Sequence, residues 1–223
     1  MEKTIDYKKL YVLQDEVLAI LFTLENSFYL TGGTALHRFY YDYRYSDDLD
    51  FFAYNDNIFG ESVNEIMDAL IEKNYKVEHT VATKDFHRFE VNNFLQLDFV
   101  NDRVHREGKS NVIGNIRVDN KINILANKIT AIVGRDEEKD FFDLFSLVLN
   151  ESFSWKDILK IVKKKSVFEK EILIHRLESF PLLWLKNIKV INDIKITNEM
   201  VEQLSNDILL EQNNSLHKIN KEN

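Results

Sequence analysis

Cysteine is absent from this chain, proline occurs once, and glycine appears only six times in 223 residues. Without thiols neither a disulfide nor a thiolate metal site can form, which fits a reducing cytoplasm. No apolar run approaches the roughly 20 residues that a membrane-crossing helix requires. The opening MEKTIDYKKL also lacks the apolar stretch of a secretion signal, so the sequence predicts a cytoplasmic protein with no membrane partner. No internal repeat and no linker rich in Gly, Ser or Pro interrupts it. Positive charge is in deficit: 29 Lys and Arg against 37 Asp and Glu leave a net −8, unlike the basic fields by which proteins hold nucleic-acid phosphates. Hydrophobic residues make up 44% of the chain and include 16 phenylalanines. That is enough apolar material for one large domain, or for a mixed domain with a helical extension.

Because glycine is scarce, the adjacent Gly32 and Gly33 are informative. They lie in FYLTGGTALHRFYYDYRYSDDLDFF, residues 28–52. The stretch reads as an apolar strand, a glycine turn, a helix-sized insert and a second strand. Asp48 and Asp50 alternate with Leu49 and Phe51, so in a strand both carboxylates emerge on one face while the apolar pair enters the core. Two carboxylates so placed suit Mg²⁺, a hard cation that takes oxygen ligands and shares them with substrate phosphates. The glycines allow backbone N–H groups to approach a phosphate, and the following helix turns its positive end toward it. Each half has an ordinary alternative: a lone DxD is common where strands begin, and a lone GG is usually a turn. The conjunction points to a metal-and-triphosphate site.

That order of elements resembles the signature of the nucleotidyltransferase superfamily, an hG(G/S) turn followed by Dh(D/E)h. More narrowly, Gly32, Gly33, Thr34, Ala35 and Leu36, followed by Arg44, Ser46, Asp48, Leu49, Asp50 and Phe51, resemble the AbiEii/AbiGii-type nucleotidyltransferases, toxins of abortive-infection and toxin–antitoxin systems. The resemblance implies that Asp48 and Asp50 bind Mg²⁺ or Mn²⁺, and that Gly32, Gly33, Thr34 and Ser46 contact a nucleoside triphosphate.

A third acid lies in FLQLDFV, residues 94–100, where Gln96 and Asp98 share the face opposite Leu95, Leu97 and Phe99. An aspartate between apolar neighbours is costly unless paired or metal-bound, although a half-exposed strand would also accommodate it. The resemblance to the superfamily implies that Asp98 faces the DxD pair, either as a further metal ligand or as the base that deprotonates the attacking hydroxyl. A second block, NILANKITAIVGRDEEKDFFDLFSLV, spans residues 123–148. Lys128 sits in a helix whose buried stripe is Leu125, Ile129 and Ile132, and Asp140 and Asp143 share one helix face with Lys139 beside them. Helix-surface ion pairs would account for these charges. The resemblance instead implies that Lys128 contacts the triphosphate, that Asp140 or Asp143 positions it, and that Arg135 and Lys139 balance phosphate charge. Between the two aspartates the sequence does not choose.

Apolar spacing predicts helices over residues 10–24, 35–41, 62–72, 154–164, 168–177 and 197–210, with Val63, Ile66, Met67, Leu70 and Ile71 inward on the third. Strands are predicted over 28–31, 48–53, 76–82, 87–91 and 94–100, with Asn92-Asn93 as a tight hairpin turn. Residues 183–196 are ambiguous between strand and loop, and 212–223 read as a polar, frayed tail. Phe180, Trp184 and Trp155 read as core, and His37 as packing or touching substrate. His87, His105 and His175 make no metal-like spacing. The expected fold class is α+β: a nucleotidyltransferase-type mixed β-sheet core flanked by helices over residues 1–118, with a mainly helical region over 119–223 completing the active site.

The implied function is Mg-dependent transfer of a nucleoside monophosphate from an NTP to an acceptor. By resemblance the acceptor is the 3′ end of tRNA, and an antitoxin is encoded nearby without any implied direct binding. Lysines 156, 160, 163, 164, 165 and 170 form a run that is either a solvated helix face or a local RNA-binding patch. Two alternatives stand beside this reading. One is transfer to a small molecule such as an antibiotic, or to a protein side chain; the other is a non-catalytic nucleotide-binding protein.

Overall fold

The structure is a computed structural model that describes residues 5–219. Those residues form two compact units. The first comprises the chain up to Phe39, Tyr45–Arg103 and Lys109–Asp119; the second comprises Tyr40–Arg44, Val104–Gly108 and the chain from Asn120 onward.

The first unit is built on a seven-stranded mixed sheet. Its strands are β1 (Tyr29–Thr31), β2 (Leu49–Tyr54), β3 (Val77–Ala82), β4 (Phe86–Val91), β5 (Leu95–Asp102), β6 (Asn111–Ile113) and β7 (Ile116–Val118), in the spatial order β3-β4-β5-β2-β1-β7-β6. The β2/β5 and β1/β7 pairs are parallel and the other pairs antiparallel. Alternation sorts the central strands cleanly. Leu49, Phe51, Ala53, Leu95, Leu97 and Phe99 are all buried, and Phe51 stacks on Phe99 at 5.1 Å. Helix α1 (Tyr7–Leu21) contributes Leu10, Leu13, Val17, Leu18 and Leu21 to this core, and Asp6 caps it by accepting from the Lys9 N–H. Helix α3 (Phe59–Glu72) contributes Phe59, Val63, Ile66, Met67 and Leu70. Ile71, expected inward, is 53% exposed, because it lies one position past the edge of the stripe.

Asn92 and Asn93 both adopt left-handed backbone, at φ 55 and 56, at the centre of a turn closed by the Phe94 N–H donating to the Val91 carbonyl at 3.1 Å, within the three-residue loop that joins β4 to β5. The β6–β7 hairpin was not anticipated. Its strands are three residues each, too short to show alternation. The helix after β1 also differs from expectation. It starts three residues early, as α2 (Gly32–Leu36), and continues as one π-helical turn over His37–Tyr41.

The second unit is helical: α4 (Lys121–Gly134), α5 (Glu138–Asn150), α6 (Trp155–Lys165), α7 (Lys170–Ser179), α8 (Asn198–Leu209) and α9 (Leu216–Ile219). Asn120 caps α4 and Thr197 caps α8 through their side chains. Phe141, Phe142, Leu144, Phe145, Leu147 and Val148 of α5 are all buried, which marks it as the central helix of the unit. The ambiguous stretch resolves into a 3₁₀ helix (Leu182–Asn187) and a loop in which Val190 bridges to Arg44. Trp155 is fully buried, but Trp184 is 44% exposed and so is not core; it contacts Phe180 edge-on, and Phe180 stacks on Phe141 at 4.1 Å. The expected frayed tail is packed as far as it is described. Asn214 is buried and donates to the Val148 and Glu151 carbonyls at 2.6 and 2.7 Å. Residues 220–223 lie outside the described residues. The fold class is α+β, as the sequence predicted. Among the described residues, no helix is long and apolar enough to cross a membrane.

Candidate active site

In the first unit the sheet face opposite the apolar core carries a row of polar and charged side chains. Thr31, Asp50, Asp98 and Arg88 form one row across four adjacent strands: Thr31 pairs in register with Asp50, Asp50 with Asp98, and Asp98 with Arg88. In-register residues on neighbouring strands point to the same face, so the row is contiguous. Asp48 lies one residue before β2 and two before Asp50, and both carboxylates are half-buried.

Gly32 explains the glycine turn. Its backbone is left-handed at φ +70, and a Cβ there would collide with Asp50 Oδ2. Only a residue without a side chain can stand against that carboxylate. Gly33 and Thr34 follow, both buried, and the Thr34 hydroxyl donates to the backbone carbonyl of Asp48 at 2.5 Å. Thr31 caps nothing with its side chain; it donates instead to Asp119 Oδ2 at 3.0 Å. The chain leading into Asp48 is fixed from α1. The Ser46 N–H donates to Tyr11 Oη at 3.2 Å, Gln14 donates to the Ser46 carbonyl at 3.1 Å, and Tyr7 donates to Asp47 at 2.8 Å. Tyr45 stacks on Tyr7 with centroids 4.1 Å apart. Ser46 is accordingly buried.

Asp98 is held by an arginine. Arg88 donates from Nε to Oδ1 and from Nη2 to Oδ2, both at 2.7 Å, and Gln96 adds a longer contact at 3.3 Å. Among the described residues, no group of three or more His, Cys, Asp or Glu side chains is arranged to hold a metal ion. The pair Asp48 and Asp50 nevertheless has the donor chemistry of a hard divalent cation. It offers two carboxylates on one half-exposed face, and such an ion takes its remaining ligands from phosphate and water.

In the second unit α4 and α5 bring together a charge chain in which Arg44, Lys128, Asp140 and Asp143 are buried and Arg135 is exposed. Lys128 Nζ lies 2.8 Å from Asp140 Oδ1 and 2.6 Å from Asp143 Oδ2. Arg135 closes on Asp140 Oδ2 at 2.7 Å, and Arg44 grips Asp143 with Nε and Nη2. Three cations alternate with two anions, so the chain carries one net positive charge. Burial alone would pull the Lys128 ammonium below its ordinary value, but Asp143 and then Asp140 outweigh it and raise the pKa. Burial likewise pushes Asp140 up, yet Lys128 and Arg135 hold it below the usual carboxylate range. Asp140 and Asp143, between which the sequence does not choose, both contact Lys128. Lys139 is exposed on the first turn of α5.

The model of the AbiEii family, nucleotidyl transferase toxins of type IV toxin–antitoxin systems, matches residues 16–211. The chain belongs to this family. A protein of Aquifex aeolicus, the uncharacterized aq_aa25, is 33% identical over 143 residues, which is 63% of this chain and 66% of that protein. The chain thus spans just under two thirds of that relative's length. Among solved structures, JHP933 from Helicobacter pylori superposes with a TM-score of 0.61 at 20% identity, covering 98% of this chain and 95% of that one. A second H. pylori structure, bearing a provisional nucleotidyltransferase label, gives 0.57 at 20% identity over 100% and 98% of the two chains. At such identities the likeness is one of fold.

Within this AbiEii-family chain, sequence reasoning located every acid just described except Asp47 and Asp119. It did not find Arg88, although HRFEV, residues 87–91, already places Arg88 on the face away from Phe89 by alternation. It also missed the α1 side chains Tyr7, Tyr11 and Gln14. Their sequence signal is three side chains with polar tips at spacings of four and three, beside the apolar stripe of an amphipathic helix.

Proposed function

We propose that this chain is a divalent-metal-dependent nucleotidyltransferase acting as the toxin of a type IV toxin–antitoxin pair. The observation that carries the proposal is Gly32, whose missing side chain leaves room for Asp50 beside Asp48 at the start of β2. Asp48 and Asp50 are the residues to hold Mg²⁺ or Mn²⁺, which would neutralise charge on the triphosphate and on the departing pyrophosphate. Gly33, Thr34 and Ser46 are assigned to the nucleotide side, with Thr34 keeping the Asp48 backbone in place. An acceptor hydroxyl oxygen forms the new bond to the α-phosphorus as the bond to the bridging oxygen breaks, and its proton passes to water. Positioning and charge balance carry such a displacement, so no protein nucleophile is required.

By the same reading Lys128 is assigned to contact the triphosphate, Asp140 or Asp143 to position it or complete the active site, and Arg135 and Lys139 to balance phosphate charge. The support is the net positive charge of the Lys128 chain; Asp140 and Asp143 hold the ammonium, and one of its three N–H donors is not needed for those two contacts. The acceptor proposed is the 3′ end of tRNA in the cytoplasm, with an antitoxin encoded nearby. The experiment incubates the protein with Mg²⁺, total tRNA and each α-³²P-labelled nucleoside triphosphate, beside Asp48→Ala and Lys128→Ala. Label on tRNA from the intact protein alone is the expected result. Label on a small molecule or on protein would replace the acceptor, and no label anywhere would remove the enzymatic reading.

A further inference from the structure

Arg88 stands on the carboxylate face, in register with Asp98, which is itself in register with Asp50. Two strand spacings, about 10 Å between backbones, separate Arg88 from Asp50, within reach of a long side chain. The guanidinium spends one edge on Asp98, through Nε and Nη2. Its other terminal nitrogen, Nη1, has no hydrogen-bond partner among the described residues, and the side chain is 40% exposed. The negative charges of Asp48 and Asp50 also act on it and hold its pKa up, after the hydrogen bonds to Asp98. A fixed, half-paired guanidinium beside two carboxylates is a donor fork without an acceptor, and phosphate is the group whose geometry matches that fork.

We propose that Arg88 binds a phosphate of the nucleotide substrate, and that Asp98 is the positioning residue that aims Arg88 and not a third metal ligand. The inference rests on the nucleotidyl-transfer reading, in which a triphosphate lies over Asp48 and Asp50. Its physical logic is charge alternation. A third bare carboxylate beside the pair would repel the phosphates, whereas a carboxylate already neutralised by Arg88 does not, and it delivers a cation in its place. The bidentate contact also removes rotamer freedom from Arg88 before substrate arrives, so less ordering is left to be done on binding.

Two measurements test this. Bound Mn²⁺ is counted by electron paramagnetic resonance in the wild type, Asp98→Asn and Asp48→Asn. Binding of ATP, GTP, CTP, UTP and pyrophosphate is titrated in the wild type, Arg88→Gln, Arg88→Lys and Asp98→Asn. The expected result is an Mn²⁺ count unchanged by Asp98→Asn and reduced by Asp48→Asn. Nucleotide and pyrophosphate affinity should both fall at least tenfold in Arg88→Gln, less in Arg88→Lys, and several-fold in Asp98→Asn. If Arg88→Gln does not fold, Arg88→Lys carries the test, since it keeps the charge and loses the fork. Loss of one Mn²⁺ from Asp98→Asn would overturn the role given to Asp98. Unchanged affinities in the Arg88 variants, with the wild type binding nucleotide, would overturn the role given to Arg88 alone. A wild type that binds neither Mn²⁺ nor any nucleotide would overturn the nucleotidyl-transfer reading as well.

Discussion

Arg44 meets Asp143 through two parallel bonds, Nε to Oδ1 at 2.6 Å and Nη2 to Oδ2 at 2.8 Å, with both side chains almost wholly out of solvent. The same carboxylate serves Lys128. Removing it would leave two buried cations short of a partner, and breaking a buried pair from one side costs about 3–5 kcal/mol. Asp143→Ala should therefore lower unfolding stability by that order in urea titration. A loss below about 1 kcal/mol would mean that water or a neighbouring group takes over both cations.

Acid should weaken the fold through Asp140. Its folded pKa is depressed below the ordinary 3.8, so its contribution is complete above that value and is lost as pH falls through the depressed folded value. Lys128 works at the other end. Its pKa is raised above 10.5, so its contribution is complete below 10.5 and disappears as pH climbs through the raised value. Stability measured against pH should fall at both extremes, and Asp140→Asn should flatten the acid limb. An unchanged acid limb in that variant would show that other carboxylates govern it.

Gly32→Ala should be poorly tolerated for two separate reasons, the left-handed backbone at φ +70 and the collision with Asp50. The backbone strain alone is of order 1–3 kcal/mol. A lower melting temperature is expected together with weaker Mn²⁺ binding, because Asp50 must move aside. A variant with wild-type Mn²⁺ affinity would separate Gly32 from the metal seat.

The Asn92-Asn93 turn offers a control away from the site. Asn93 has φ 56, and left-handed backbone costs most side chains about 1–2 kcal/mol. Asn93→Ala should destabilise by roughly 1 kcal/mol while leaving nucleotide binding unaltered, and Asn93→Gly should be neutral or stabilising. Thermal unfolding of the three proteins side by side decides it.

What the sequence revealed was whatever is local. The alternation of Asp48, Leu49, Asp50 and Phe51 has a period of two, and the three-residue spacing of Asp140 and Asp143 lies within one helix turn, so both were readable without partners. Pairing across the chain was not. Arg44 and Asp143 are 99 residues apart, and no periodicity announces that they meet. Asp98 was recognised as needing a partner or a metal, but only the register of β4 against β5 supplies Arg88. Short elements escaped for a different reason: strands of three residues, such as β6 and β7, contain barely one repeat of the pattern that identifies a strand.

The π-helical turn at His37–Tyr41 acts as a spacer of one residue. An ordinary α-helix advances about 100° per residue, so a single residue added to or taken from that turn swings the side chains next to it by more than a quarter of a circle. Tyr41, at its end, donates to Glu151 at 2.5 Å, and Tyr43 shares hydrogen bonds with Asn150. Shortening the turn by one residue would present the wrong side of the chain to those partners, and lengthening it by one would do the same in the opposite sense. This stretch should therefore accept substitutions far more readily than changes in length.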